Sequence, residues 1–439
     1  MMKQSTLSFA LYMAFSVVTV SSTLVTSILL TSPVAQAAQT NQQIETIEKK
    51  TRKTPALRER VYAQLARAQK LADEGDVAKG LAVLDSVRNK ADTMNSYERA
   101  MMWNFYGFIY YNQQDYKSAV DYFDKLVNEN NIPESLEVNT LFSLAQLEMM
   151  QGHFAKTIAY IERWEALQTD EANSKGLILK AQAYYQAKDY QAALPNINKV
   201  IALEEQSGNT AKENWLVLQR ALYYSLQQPL QVTNVLEKMV KLYNKPEYWT
   251  QLAAMYGETE QPKKQLAVME AAYQQGFVTK ATDIKSLAQL YFYSGAPAKA
   301  AKVLTYAIDS LAVQPDLKTL QFLAQAWSSA KEHEKALPVL QQAAILSDAG
   351  NIEQRMGEIY FEMDDYHHAI KMINQALAKG KLDNPGNAYL VLGMAHFNLG
   401  HYDNAIAQFE DAKDEQEVAS SAVQWLQYTL KEKARTAQL

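Results

Sequence analysis

WNFYGFIYYNQQDYKSAVDYFDKL, residues 103–126, decides how this chain is read. Trp103, Tyr106, Gly107 and Tyr110 recur at i, i+3, i+4 and i+7, so they share one face of a helix. Residues 112–115 are polar and break the pattern. Tyr116, Ala119 and Phe123 then form the apolar stripe of a second helix. The small residues Gly107 and Ala119 let the two helices approach closely. A unit of this size cannot bury its apolar faces alone, so the pattern predicts stacked neighbours.

Outward from this stretch, the small residue of the first helix recurs at Ala68, Gly107, Ala145, Ala181, Ala221, Ala253, Ala288, Ala324, Gly357 and Gly393. An aromatic follows three residues later at Tyr110, Tyr184, Tyr224, Tyr256, Tyr291, Trp327 and Tyr360. A second small residue falls at Ala119, Ala193, Ala300, Ala336, Ala369 and Ala405. The order Trp, Tyr, Gly, Tyr, then Tyr, Ala, Phe resembles the tetratricopeptide repeat (TPR), a helix–turn–helix unit of about 34 residues. The resemblance covers residues 58–412. It implies an all-α, right-handed superhelical solenoid of about ten repeats. Residues 413–439, with Val418, Ala422, Trp425, Leu426 and Leu430, read as a capping helix and tail. The fifth repeat departs most: Gln228-Pro229 occupies its turn and Thr233 replaces the second-helix Ala. Residues 204–214, EEQSGNTAKEN, are expected to form a loop on one edge, with a hinge between two lobes as the alternative.

Composition narrows the function classes. The chain has 439 residues but only 15 Gly and 11 Pro, as a nearly all-helical array requires. It has no Cys, which excludes disulfides, thiolate chemistry and a lipid-modified N-terminal cysteine. The net charge of −5 is dispersed, so there is no basic footprint for nucleic acid. Residues 1–37 read as a secretory signal: Lys3, an apolar run with Ser and Thr, Pro33, then Ala35-Gln36-Ala37 as a cleavage site. This predicts a periplasmic protein of a Gram-negative bacterium, with an uncleaved inner-membrane anchor as the alternative. Residues 38–57 are a polar extension whose basic run (Lys49, Lys50, Arg52, Lys53) reads as a solvated lead-in.

No catalytic constellation emerges. The six His lack an HExxH pair, and no Walker, GxGxxG or GxSxG motif is present. His367-His368 beside Asp364 and Asp365 reads as a solvated turn. No enzyme activity, cofactor or metal is expected.

The resemblance implies that the first helices line a concave face. Residues one and four positions after the small residue point into it. The first set is Phe108, Gln146, Gln182, Gln289, Gln325, Glu358 and Met394. The second is Tyr111, Met149, Tyr185, Phe292, Ser328, Phe361 and Phe397, with Asn112, Gln186 and Asn398 beside them. Carboxamides can pair with the backbone of an extended peptide, and aromatics can pack on Pro or apolar side chains. The Lys/Asn clamp with which some TPR domains hold chaperone C-termini is missing, which argues against a C-terminal carboxylate ligand. The overall layout is similar to that of periplasmic TPR proteins assigned to a TonB system in marine gammaproteobacteria. That likeness implies a partner among TonB, ExbB and ExbD. A scaffold for cell wall, pilus or outer-membrane assembly is the alternative.

Overall fold

The computed structural model describes residues 52, 54–168 and 174–437. The proposed signal sequence, together with Lys49, Lys50 and Lys53, lies outside these residues. The described helices all fall within Arg52–Leu439, and no strand occurs among the described residues. None of these helices is long and apolar enough to cross a membrane.

Ten antiparallel helix pairs follow one another: α1 (Glu59–Asp73) and α2 (Val77–Arg88), α3 (Ser96–Asn112) and α4 (Tyr116–Val127), α5 (Glu134–Met150) and α6 (Phe154–Glu165), α7 (Ser174–Gln186) and α8 (Tyr190–Gln206), α9 (Glu213–Ser225) and α10 (Pro229–Tyr243). The series continues with α11 (Pro246–Glu258) and α12 (Pro262–Gln274), α13 (Ala281–Tyr293) and α14 (Pro297–Asp309), α15 (Leu317–Ser329) and α16 (His333–Leu346), α17 (Asn351–Glu362) and α18 (Tyr366–Lys379), α19 (Pro385–Asn398) and α20 (Tyr402–Lys413). A final helix, α21 (Ala419–Thr436), packs Leu426 and Trp425 onto Phe409 and Phe397, closing the end of the array.

Every turn within a pair is built alike. One residue adopts positive φ: Gly at 75, 152, 295 and 400, and Gln114, Lys188, Gln227, Glu260, Lys331 or Asp364 elsewhere. The next residue caps the second helix. Asp76, Asp115, Asp189 and Asp365 each accept the backbone N–H three residues on. Three of the turns without that Asp place proline at the first helical position instead, Pro229, Pro262 and Pro297, and the other three, at His153, Glu332 and His401, have neither device. Gln228-Pro229 is therefore one of three equivalent solutions rather than a departure.

The helix pair is held at a seam nine residues before the second helix starts. Gly107 stands before Tyr116, Ala145 before Phe154, and Gly393 before Tyr402. Sixteen residues on, a large side chain of the second helix fills the seam. Where that side chain is Phe123 or Phe409, the small residue is Gly107 or Gly393. A Cβ on Gly393 would lie 2.5 Å from the Phe409 ring, and one on Gly107 would collide with Phe123. Where it is Leu84, Ile161, Ile197, Met269, Leu304 or Leu340, the small residue is Ala. Gly357 opposite Ile373 is the exception. The seam is thus matched in volume repeat by repeat, as close packing demands.

This rule corrects the fifth repeat. Nine residues before Pro229 stands Arg220, not Ala221. The aromatic three residues on is Tyr223, which is half-buried, whereas Tyr224 is exposed. The second-helix small position falls on Val232 rather than Thr233, and Leu236 fills the seam. Ala221 misled because a small residue beside an arginine is the natural match to the pattern. The α9–α10 pair packs less closely than the two helices of any other repeat. The polar stretch before it is also shorter than expected as a loop. Residues 204–206 continue α8, leaving a linker of 207–212.

First helices of neighbouring repeats touch, as α1 with α3, α7 with α9 and α17 with α19. Second helices do not approach one another to the same extent, so the first helices take the inner side of the curve. Between the helices of repeats six to eight, Lys264, Lys299 and Lys335 sit over the rings of Tyr256, Tyr291 and Trp327 at 4.9–5.2 Å. In the second repeat, Tyr122 stacks on Tyr106 at 4.5 Å and on Tyr110 at 5.4 Å, while Trp103 donates to Glu129.

The lead-in is anchored more firmly than a solvated segment. Arg58 grips Glu98 with two side-chain nitrogens at 2.6 Å each, and Asn95 donates to the Ala56 carbonyl at 2.9 Å. Arg52 pairs with Glu137. Glu98 is fully buried and also accepts the backbone N–H groups of Arg58 and Asn95. The Arg58 hydrogen bonds, ahead of the backbone donors, hold its carboxyl below the ordinary glutamate range despite burial.

Two outcomes are expected. Gly107→Ala should lower stability by about 1–3 kcal/mol through overpacking against Phe123, and adding Phe123→Leu should recover most of it; chemical denaturation of the three proteins measures this. Glu98 contributes stability above the unfolded carboxyl pKa, lost as pH falls from about 4 through its lowered folded value. Glu98→Gln should therefore melt below wild type at neutral pH, with the gap closing in acid.

Candidate protein-binding face

The face lined by α3, α5, α7, α13, α15, α17 and α19 carries the residues that the resemblance pointed to. Gln146, Gln289 and Gln325 are exposed and Gln182 is half-buried. None of these four carboxamides is engaged by a described protein group. Asn112 and Gln186 are exposed at the C-terminal ends of α3 and α7. Met149 is half-buried. Such a row offers both donors and acceptors to a backbone laid across it.

The aromatics of the second set have a job inside the repeat. Tyr111 packs on Tyr116 at 5.8 Å between ring centroids, Tyr185 on Tyr190 at 5.6 Å, Phe361 on Tyr366 at 5.6 Å and Phe397 on Tyr402 at 5.6 Å. Each pair joins the last turn of a first helix to the first residue of the second, so it braces the turn, and both rings stay only partly exposed. Phe397 also meets Trp425 and Tyr428 of α21, so the last repeat's groove position is partly covered by the cap. Phe292 packs edge-on against Phe322 at 5.4 Å. Ser328, expected in the groove, is buried instead.

Phe108 is the most open of the expected aromatics, 48% exposed, with its edge against Phe123. The structure adds residues that the spacing missed. Tyr293 is 82% exposed and Met150 65%, each one position beyond the expected Phe292 and Met149. Tyr62 and Tyr224 are exposed on α1 and α9. The corrected register places Tyr224 at the same groove position as Tyr111 and Tyr185; counting back from Pro229 would have found it.

Elsewhere the polar groups are structural. His368 bonds Asp365 at 2.7 Å, the residue that caps α18. His153 bonds the buried Glu148, which also receives Lys156 at 3.1 Å. His396 and His401 face each other across a turn at 5.9 Å, and burial, then the neighbouring ring, pushes His396 below the ordinary histidine range. Among the described residues no group of three or more metal-ligating side chains converges.

Comparison with known proteins follows the same lines. The tetratricopeptide repeat family model matches residues 65–133 and 355–420. Curated proteins give no match. Among solved structures, a tetratricopeptide repeat protein from Parabacteroides merdae is 13% identical, with a TM-score of 0.29 over 76% of this chain and 99% of that one. The TPR2AB domain of yeast Sti1, solved as a pHSP90 complex, is 15% identical, with a TM-score of 0.34 over 60% and 98%. MamA from Desulfovibrio magneticus is 14% identical, with a TM-score of 0.32 over 40% and 94%. The two matched stretches, about a third of the chain, coincide with the first two and last two helix pairs.

Proposed function

We propose that this protein is a scaffold that holds an extended segment of another protein against its first-helix face. The observation that carries the reading is the coincidence on that face of exposed apolar side chains (Tyr62, Phe108, Met150, Tyr224 and Tyr293) with unengaged glutamine carboxamides. Exposed aromatic and apolar groups next to free backbone-pairing groups are what an extended peptide needs. Tetratricopeptide repeats generally mediate protein–protein interaction.

In the finer reading, residues 1–37 export the chain to the periplasm, and the partner is a component of a TonB-type uptake system. Its support is the signal-like sequence and the layout resemblance. A Pro-rich periplasmic span would present a preformed extended ligand to a neutral, aromatic face.

Photo-crosslinking in cells tests both levels. With the probe at Phe108 or Tyr293, a discrete partner band is expected, and none with the probe at Tyr306, an exposed residue on a second helix. Capture of TonB, ExbB or ExbD supports the finer reading; capture of a wall or pilus protein replaces it. Capture only from Tyr306 would move the binding surface off the first helices.

A further inference from the structure

Arg220 is out of place in this array. At its position every other repeat has alanine or glycine, because the two helices of the repeat meet there. Arg220 is only partly exposed, and its Nε is shut off from solvent without a hydrogen-bond partner. One terminal nitrogen donates to the side-chain oxygen of Gln251 on α11, the next first helix. No carboxylate pairs with it among the described residues.

The other partly buried arginines differ. Arg99 pairs with Glu129 at 2.7 Å, Arg163 with Glu137 at 2.8 Å and Arg355 with Glu358 at 2.9 Å. A guanidinium removed from water without an anion is strongly disfavoured relative to a paired one. Burial accordingly pushes Arg220 below the ordinary arginine range, with Tyr248 nearby opposing the shift. An alanine would satisfy the seam without that penalty. The side chain also reaches from α9 to α11, the next first helix. Tyr224 stands one turn further along α9, exposed.

We infer that Arg220 receives the side-chain carboxylate of an Asp or Glu in the segment bound on the first-helix face, with an apolar neighbour of that residue packing on Tyr224. This rests on the proposed scaffold function and adds the chemistry of the partner. The guanidinium offers a planar fork to a carboxylate in a weakly hydrated setting, where charge-assisted hydrogen bonds are strongest. The bound segment supplies the anion that the fold withholds.

The test uses a random peptide library selected on the full chain. The consensus peptide is then synthesised with its acidic residue as Glu or Gln, and with a free or amidated C-terminus. Each form is titrated against wild type, Arg220→Gln and Phe108→Ala. The expected result is an acidic position in the consensus. Binding should weaken about tenfold or more on Glu→Gln in the peptide or on Arg220→Gln in the protein, with little further loss when both are combined. Arg220→Gln should melt no lower than wild type, since it removes an unpaired buried charge. Peptides that depend on Phe108 but neither on an acidic residue nor on Arg220 would overturn this inference and leave the scaffold reading standing. Loss of binding on amidation alone would overturn the assignment to a side chain. Selection of no peptide, or of peptides indifferent to both residues, would remove the scaffold reading as well.

Discussion

The close approach of two helices at one small residue underlies the rest of this structure. Nine residues before each second helix, the chain leaves room for a side chain that arrives sixteen residues later. Glycine there admits phenylalanine, and alanine admits leucine, isoleucine or methionine. The match sets how tightly each pair closes. Because a pair buries its outer faces only against the next pair, that local fit propagates along the array. The turn adds a second constraint of fixed length: one left-handed residue, then the residue that starts the second helix, which in most repeats brings an Asp cap or a proline.

These two constraints explain what was legible in the sequence. The seam and the turn both leave small or special residues at regular offsets, so ten pairs and a closing helix could be read from Gly107, Ala119 and their counterparts. The fifth repeat was not legible by the same route. Its seam holds Arg220, and the adjacent Ala221 satisfied the pattern by accident of sequence. The turn at Gln228-Pro229 carried the correct register, but only once proline is recognised as an alternative to the Asp cap. Residues 204–206 look like a loop because they are polar, yet polar residues suit the exposed face of α8 equally well.

The groove was legible as a face and less so residue by residue. Periodicity assigns a side chain to a side of a helix, and Gln146, Gln289 and Gln325 stand open as such an assignment requires. It does not say whether an aromatic will lean on a neighbour. Tyr111, Tyr185, Phe361 and Phe397 lean on the first residue of the second helix, so they brace the turn as well as line the face. Tyr293, one residue further on, is left without such a support and stays open. Long-range ion pairs were outside the reach of local pattern altogether. Arg58 with Glu98 and Arg52 with Glu137 tie the lead-in to the second and third repeats across 40 and 85 residues.

The seam in the fifth repeat is where the account can be tested most directly, and the absence of cysteine makes the test clean. Two proteins would be compared under mild oxidation: one with Arg220→Cys and Val232→Cys, the other with Ala221→Cys and Val232→Cys. A disulfide needs Cα atoms within about 7 Å of each other and converging Cβ directions. The backbones meet at this pair of positions in the first repeat, where a Cβ on Gly80 would lie 2.7 Å from the Ala68 carbonyl oxygen. If residue 220 stands in the seam, the first pair crosslinks rapidly and the second does not. Rapid crosslinking of the second pair instead would put Ala221 in the seam and Arg220 on the surface, contradicting the register on which both the fifth repeat and its unpaired charge depend.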